Sequence, residues 1–399
     1  MIQDNDKPLS PWQTHQYNVV FRDPESILKT HLGEDISVVD FESESFSKIG
    51  DNYGSTMMRI NVSVARKDNE NIEKLQLIGK LLPPTDFQRQ IFESDYTFQK
   101  EIFFYEHLIP TYQDLYMKEF NIVPQYYGSR ISLEPDTNKI SEDAVILLEN
   151  LKVKGYYMED RHKGLDLEHL SVIVPAIAKF HAIGLALKHK NPSFLPVLEK
   201  YIRRLNGSTV QDKFVQKLLI DIEKNSEVNQ YHARIKALYD NSKGVPKTLK
   251  LTHPWACVVH LDLWNNNMLF HRDKTGKIDD VKIVDFQTYS VISPLTDLIF
   301  LLLSSMQYPM EHFDSMVELY RQATCRILKE LNLDACLFEK QQFEERLKID
   351  AIAEIIHILL MANIVECREG EDFENDPINE FTIRRLKRVF EIFERKKWL

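Results

Sequence analysis

Residues 258–287, VVHLDLWNNNMLFHRDKTGKIDDVKIVDFQ, set short apolar runs against groups that are costly to bury without partners. VVH reads as the end of a strand, LDLWNNN as a loop, MLFH as a strand, RDKTGKIDD as a turn and VKIVDF as a returning strand. In an antiparallel hairpin the start of the first strand lies beside the end of the second. Asn267 and Asp285, eighteen positions apart in sequence, therefore become neighbours, and Asp262, five residues before Asn267, points into the same space. Two carboxylates and an amide oxygen form a hard donor set that suits Mg²⁺, whereas zinc favours nitrogen and sulfur. The plainer alternative makes the same asparagines and aspartates turn formers and His260 a satisfied core residue.

With 399 residues and 43% hydrophobic content, the chain can bury a large core, and its length favours two domains or lobes. Fifty basic residues against 60 acidic ones, a formal charge of -10, argue against a nucleic-acid groove. The first twenty residues lack the basic-then-apolar order of a secretion signal. Apolar stretches such as 351–365 carry Glu354, His357 and Asn363 and read as too short to span a bilayer. A cytoplasmic protein without stable membrane insertion is the expectation, and Cys257, Cys325, Cys336 and Cys367, at no metal or redox spacing, read as reduced thiols.

Along the chain, TMMRINVSVAR and KLQLIGKLL read as a hairpin across the polar turn KDNENIE. Phe98, Ile102, Tyr105 and Leu108 then recur at helical spacing, with Pro110 expected to stop the element. DAVILLENL reads as a buried strand, and a boundary is placed near residue 150. Beyond it helices dominate, with LEHLSVIVPAIAKFHAIGLALKH as a central one and the basic C-terminal run as an amphipathic helix. The expected class is α+β: a β-rich N-terminal lobe, 1–150, and a larger, mainly helical lobe, 151–399.

His260-x-Asp262-x-x-x-x-Asn267 followed by Ile283-Val284-Asp285-Phe286-Gln287 resembles the catalytic loop and metal motif of the protein-kinase-like fold, in the version used by choline kinases and aminoglycoside phosphotransferases. Asp-Leu-Trp with Asn-Asn-Met-Leu-Phe and Asp-Phe-Gln most closely resembles the ecdysteroid-kinase-like family of insects. The resemblance implies a two-lobed kinase fold and transfer of the γ-phosphoryl of ATP, with Mg²⁺, to a small-molecule alcohol. It further implies that Asp262 accepts or orients the acceptor proton and that Asn267 and Asp285 hold the metal. Lys80 in LIGKLL resembles the third-strand lysine and Glu101 its helix-borne partner, and the turn containing Asn52 and Ser55 resembles the phosphate-covering loop. Glu149 and Leu151 resemble the hinge that meets adenine, and Asp297 an aspartate that supports the catalytic loop.

Leu261 departs from the family, which usually has glycine there, and leucine resists the backbone angles glycine permits. Asp285 is followed within about eleven residues by the helix-like TDLIFLL and by no A-P-E, which leaves little room for a peptide platform. A steroid hormone or xenobiotic alcohol is the implied acceptor. A nucleotide- or hormone-binding pseudokinase and a choline-type kinase are the alternatives, and the sequence sets no oligomeric state. All five of Lys80, Glu101, Asp262, Asn267 and Asp285 are expected to serve one triphosphate.

Overall fold

Every second residue of TMMRINVSVAR from Thr56 to Val64, that is Thr56, Met58, Ile60, Val62 and Val64, is buried on one face of a strand, and the first of two structural units is built around that face. The computed structural model describes residues 21–46, 54–67, 69–134, 139–205, 209–243, 248–368, 370–372 and 375–399. The first unit comprises Met1–Pro110 and Val123–Tyr156, and the second Thr111–Ile122 and Tyr157–Leu399. The division by contacts thus falls after Tyr156 rather than at 150, because the turn Leu151–Lys154 closes back on Tyr156, whose N–H donates to Leu151 O at 3.1 Å.

In the first unit, α1 (Pro24–Leu32) precedes β1 (Ile36–Ser45), β2 (Thr56–Arg66) and β3 (Asn69–Leu81). After α2 (Asp86–Ile91), α3 (Ser94–Phe103) and α4 (Ile109–Tyr116), which runs on past the unit boundary, come β4 (Tyr126–Arg130) and β5 (Val145–Glu149). The strands form one antiparallel sheet in the order β1-β2-β3-β5-β4, with Ile27, Leu28, Ile60, Leu77, Val145 and Leu147 in its core. The hairpin is longer than KLQLIGKLL suggested: β3 begins at Asn69, and its polar start still pairs with β2, Glu73 opposite Val64 and, past a register shift, Asn69 opposite Arg66. Ladder hydrogen bonds there override the polar side chains that made the segment read as a turn.

Pro110 does not stop its helix. A π turn, Phe104–Leu108, precedes it, the N–H of Ile109 reaching back to Phe104 O, and α4 continues to Tyr116. The wider turn changes the bonding pattern just where proline lacks a donor.

The second unit is organised on α5 (Leu167–Lys190), capped by Asp166, whose carboxylate accepts from His169 N. Short α6 (Leu195–Leu198) leads to α7 (Thr209–Lys224) and α8 (His232–Ser242). Two small sheets follow, pairing β6 (Cys257–Val259) with β9 (Ser290–Ile292) and β7 (Met268–Arg272) with β8 (Ile278–Ile283). Then come α9 (Leu295–Ser305), α10 (Pro309–Glu330), α11 (Lys340–Glu366) and α12 (Glu380–Arg395). α5 packs on α10, β6 and β8, and α11 packs on α9 and α12. Contrary to the sequence expectation, one segment, Leu167–Lys190, is long and apolar enough to cross a bilayer, and 72% of its most apolar window is buried within the fold. Its residues from Ile177 to Leu187 are nearly all covered by neighbours, as befits the core of a helical unit.

Candidate active site

In the first unit β3 carries Lys80 between Met57 of β2 and Ile146 of β5, where an apolar strand would leave an ammonium without solvent. Lys80 is 4% exposed and Glu101, on the last turns of α3, is 1% exposed, and their side chains meet at 2.5 Å. Neither charge could be held there alone, so strand and helix are tied by the pair. Ser55, just before β2, is buried with its hydroxyl 3.7 Å from Met57 Sδ, while Asn52 lies outside the described residues. Glu149 ends β5; its carboxylate accepts from Gln125 N at 3.2 Å and pairs with Lys154. Leu151 is buried, and its carbonyl takes the N–H of Gly155 and Tyr156. Glu149 and Leu151 are thus both engaged within the first unit.

In the second unit, Met268 pairs with Ile283, and Val284 N donates to Asn267 O at 3.1 Å. This register places Asn267 and Asp285 at the same end of the hairpin. Asn267 is buried, and its amide donates to Asp262 O at 2.8 Å and to Asp262 Oδ2 at 3.0 Å. The side-chain oxygen of the same amide is thereby turned away from Asp262. Asp285 adopts a left-handed backbone, φ 66° and ψ 62°, as the strand ends. Burial pushes the Asp262 carboxyl above its ordinary value; the negative charge of Asp285 pushes the same way, while His260, His357 and the Asn267 amide oppose the rise.

His260 uses both ring nitrogens on backbone: Nδ1 accepts from Asp262 N at 3.2 Å and Nε2 donates to Val284 O at 2.9 Å. A ring so engaged is a brace rather than a base. Asp297, at the start of α9, accepts from His260 N at 2.6 Å and Leu261 N at 2.9 Å, and His181 Nε2 lies 3.1 Å from it. Tyr320 completes the chain at 2.8 Å from His181 Nδ1. Burial would raise the Asp297 carboxyl, yet the His181 hydrogen bond, nearby imidazoles and the loop N–H outweigh it and hold it below its ordinary value. Its contribution to stability is therefore complete above the ordinary carboxylate value of 3.8 and is lost as pH falls through the lowered one. Below about pH 4, stability of the natural protein should fall more steeply than that of Asp297→Asn, which at neutral pH should be weaker by about 2–3 kcal/mol; acid-series thermal melts measure both.

Leu261 occupies the left-handed region, φ 68°, and its side chain is buried with Val259 and Ile292. Packing explains why leucine stands at a position that favours glycine. The strain is about 1–2 kcal/mol, against about 2–5 kcal/mol for truncating a buried leucine. Leu261→Ala, which keeps the strain and loses the packing, should be less stable than Leu261→Gly by about 1 kcal/mol, the reverse of the usual ranking. Urea midpoints decide the order.

Lys80 and Glu101 are thus brought together within the first unit, and Asp262, Asn267 and Asp285 within the second. His181, on the apolar helix α5, braces Asp297, a role that a fully buried histidine facing no solvent could have flagged. Tyr320, near the middle of α10, carried no signal of its own.

The chain is a small-molecule phosphotransferase, with a strand lysine paired with a helix glutamate in its first unit and an aspartate loop bonded to an asparagine in its second. The chain belongs to the ecdysteroid kinase-like family, whose model matches residues 49–333. No curated protein matches it significantly. Among solved structures, choline kinase from Cryptosporidium parvum Iowa II is similar at 11% identity and a TM-score of 0.47, over 89% of this chain and 90% of that one. Spectinomycin phosphotransferase, solved with ADP and spectinomycin, is similar at 11% identity and 0.47, over 93% and 97%. A choline/ethanolamine kinase family protein from Mesorhizobium loti is similar at 12% identity and 0.41, over 84% and 85%.

Proposed function

We propose that this protein transfers the γ-phosphoryl group of ATP, with Mg²⁺, to a hydroxyl of a lipophilic alcohol such as an ecdysteroid or a xenobiotic. The single observation that carries the reading is the Asp262–Asn267 hydrogen bond beside Asp285, a base and a hard-oxygen donor set held in one place. Phosphoryl transfer asks little covalent chemistry of a protein, so positioning of the nucleophile and neutralisation of charge supply most of the rate.

Among the described residues no cluster of three or more His, Cys, Asp or Glu side chains forms a ready-made metal cage. That fits Mg²⁺, which takes one or two protein oxygens and completes its shell with water and phosphate. Asp285 and Asn267 would hold it, and when bound it supplies positive charge to the phosphates. Asp262 orients the acceptor hydroxyl and takes its proton; the raised affinity for a proton that burial confers suits a base. Asn267 fixes the Asp262 carboxylate, and Asp297 fixes the loop behind it. Lys80, set by Glu101, would meet the nucleotide phosphates, with the Ser55 turn over them and backbone near Glu149 and Leu151 meeting adenine. Retention of Lys80, Glu101, Asp262, Asn267 and Asp285 favours an enzyme over a binding protein.

Purified protein incubated with Mg·ATP and an extract of sterols and dietary alcohols should yield products heavier by one phosphate in mass spectrometry. Chelation of Mg²⁺ with EDTA should abolish them. Absence of any phosphorylated product across a broad panel, with nucleotide still bound, would sink the reading.

A further inference from the structure

We propose that Thr288 is a positioning residue for the transfer step: its hydroxyl holds the peptide plane between His260 and Leu261, and so ties the turn that follows Asp285 to the loop that presents Asp262. The inference rests on the kinase reading above and adds to it a residue that acts through the loop rather than on the reacting atoms.

The β6–β9 ladder ends at Val259 opposite Ser290. Past that pair the backbone of both segments bonds elsewhere. Tyr289 N turns back to Phe286 O at 3.4 Å, closing the short turn Phe286–Thr288, and His260 N goes to Asp297 at 2.6 Å. His260 is 1% exposed, so its carbonyl needs a partner from the protein, and the Thr288 hydroxyl donates to it at 3.0 Å.

The peptide that joins His260 to Leu261 is trans and planar, so its carbonyl and its N–H point to opposite sides. Thr288 holds the carbonyl, and Asp297 takes the N–H at 2.9 Å. Turning this plane is the direct way for Leu261 to leave its left-handed φ of 68°, a conformation that leucine resists. Both bonds would have to break for the plane to turn. Strain of this kind persists only where the surroundings over-determine it, and here it lies directly before Asp262.

The same hydroxyl acts on the metal side of the site. Thr288 ends the turn that starts directly after Asp285, itself left-handed at φ 66°. Before Asp285, Val284 O accepts from the His260 ring at 2.9 Å; after it, Thr288 holds the His260 carbonyl, and the Phe286 ring lies 4.5 Å from the imidazole. Asp285 is thus bracketed by bonds to a single residue, and that residue leads straight into the base loop. Serine at 288 would keep the donor, whereas valine, of nearly the same shape, would not.

The test compares Thr288→Val and Thr288→Ser with the natural protein, at a temperature where thermal melts show them folded; Thr288→Ala, which also lacks the donor, decides if the valine variant does not fold. Turnover with Mg·ATP is measured on the alcohol found by the mass-spectrometric screen, and amide hydrogen exchange is followed over residues 258–264. Thr288→Val should lower kcat about tenfold, with KM for alcohol and ATP within about threefold, and should speed exchange of the segment about tenfold. Thr288→Ser should stay within about threefold of the natural protein in both readouts. Exchange unmoved in Thr288→Val, or losses in Thr288→Ser as large as in Thr288→Val, overturn this inference and leave the kinase reading standing. A natural protein that binds ADP but turns over no alcohol overturns both.

Discussion

Asp262→Asn should reduce turnover by about 10³-fold while leaving the fold intact. Burial makes the ionised carboxylate at this position unfavourable, so the group binds a proton more readily in the folded protein than in the unfolded chain. A group with a raised folded value stabilises below its unfolded value, and that contribution is lost as pH rises through the folded one. At neutral pH the natural protein therefore carries a cost that asparagine lacks. The variant should melt at the same temperature as the natural protein or higher, and bind ADP as tightly. Product formation by mass spectrometry and thermal melts at pH 7 check the two halves. A variant that lost both activity and stability would show Asp262 to be a structural residue.

Lys80→Met should be the most destabilising single change considered, at about 3–5 kcal/mol, because it leaves Glu101, 1% exposed, without its ammonium partner. The double variant Lys80→Met/Glu101→Leu removes both charges and should recover most of that loss, since a buried pair often does no better than apolar residues of similar size. Recovery of stability should not bring back nucleotide affinity if Lys80 meets phosphate. Urea unfolding and ADP titration on the three proteins separate these outcomes; a double variant as unstable as the single would show that packing, not charge, is at stake.

Much of this was legible in residue order because the signals were local. The hairpin that aligns Asn267 with Asp285 follows from two short apolar runs and a glycine-containing turn, and its observed register is the one such a hairpin requires. The α5 helix followed from its apolar faces. What escaped notice depends on contacts between distant segments. The edge strand β1 has mostly exposed side chains and shows no apolar alternation to read. Pro110 was misjudged because a π turn, invisible in composition, relieves it. Tyr320 reaches His181 across 139 residues, and His357 meets Phe300 only through the packing of two helices. Leu261 marked a departure from its family, but its solution, burial beside Val259 and Ile292, required the fold.

The His260 imidazole joins the loop that follows β6 to the residue just past β8, one nitrogen serving the residue that bears the base and the other the residue preceding Asp285. Proton donor geometry on one side of the ring dictates what the other side can do, so these segments are obliged to loosen in concert. Solvent deuterium should accordingly replace the amide proton of Asp262 at the rate set by opening of the whole β7–β8 arm, and His260→Ala should uncouple the two.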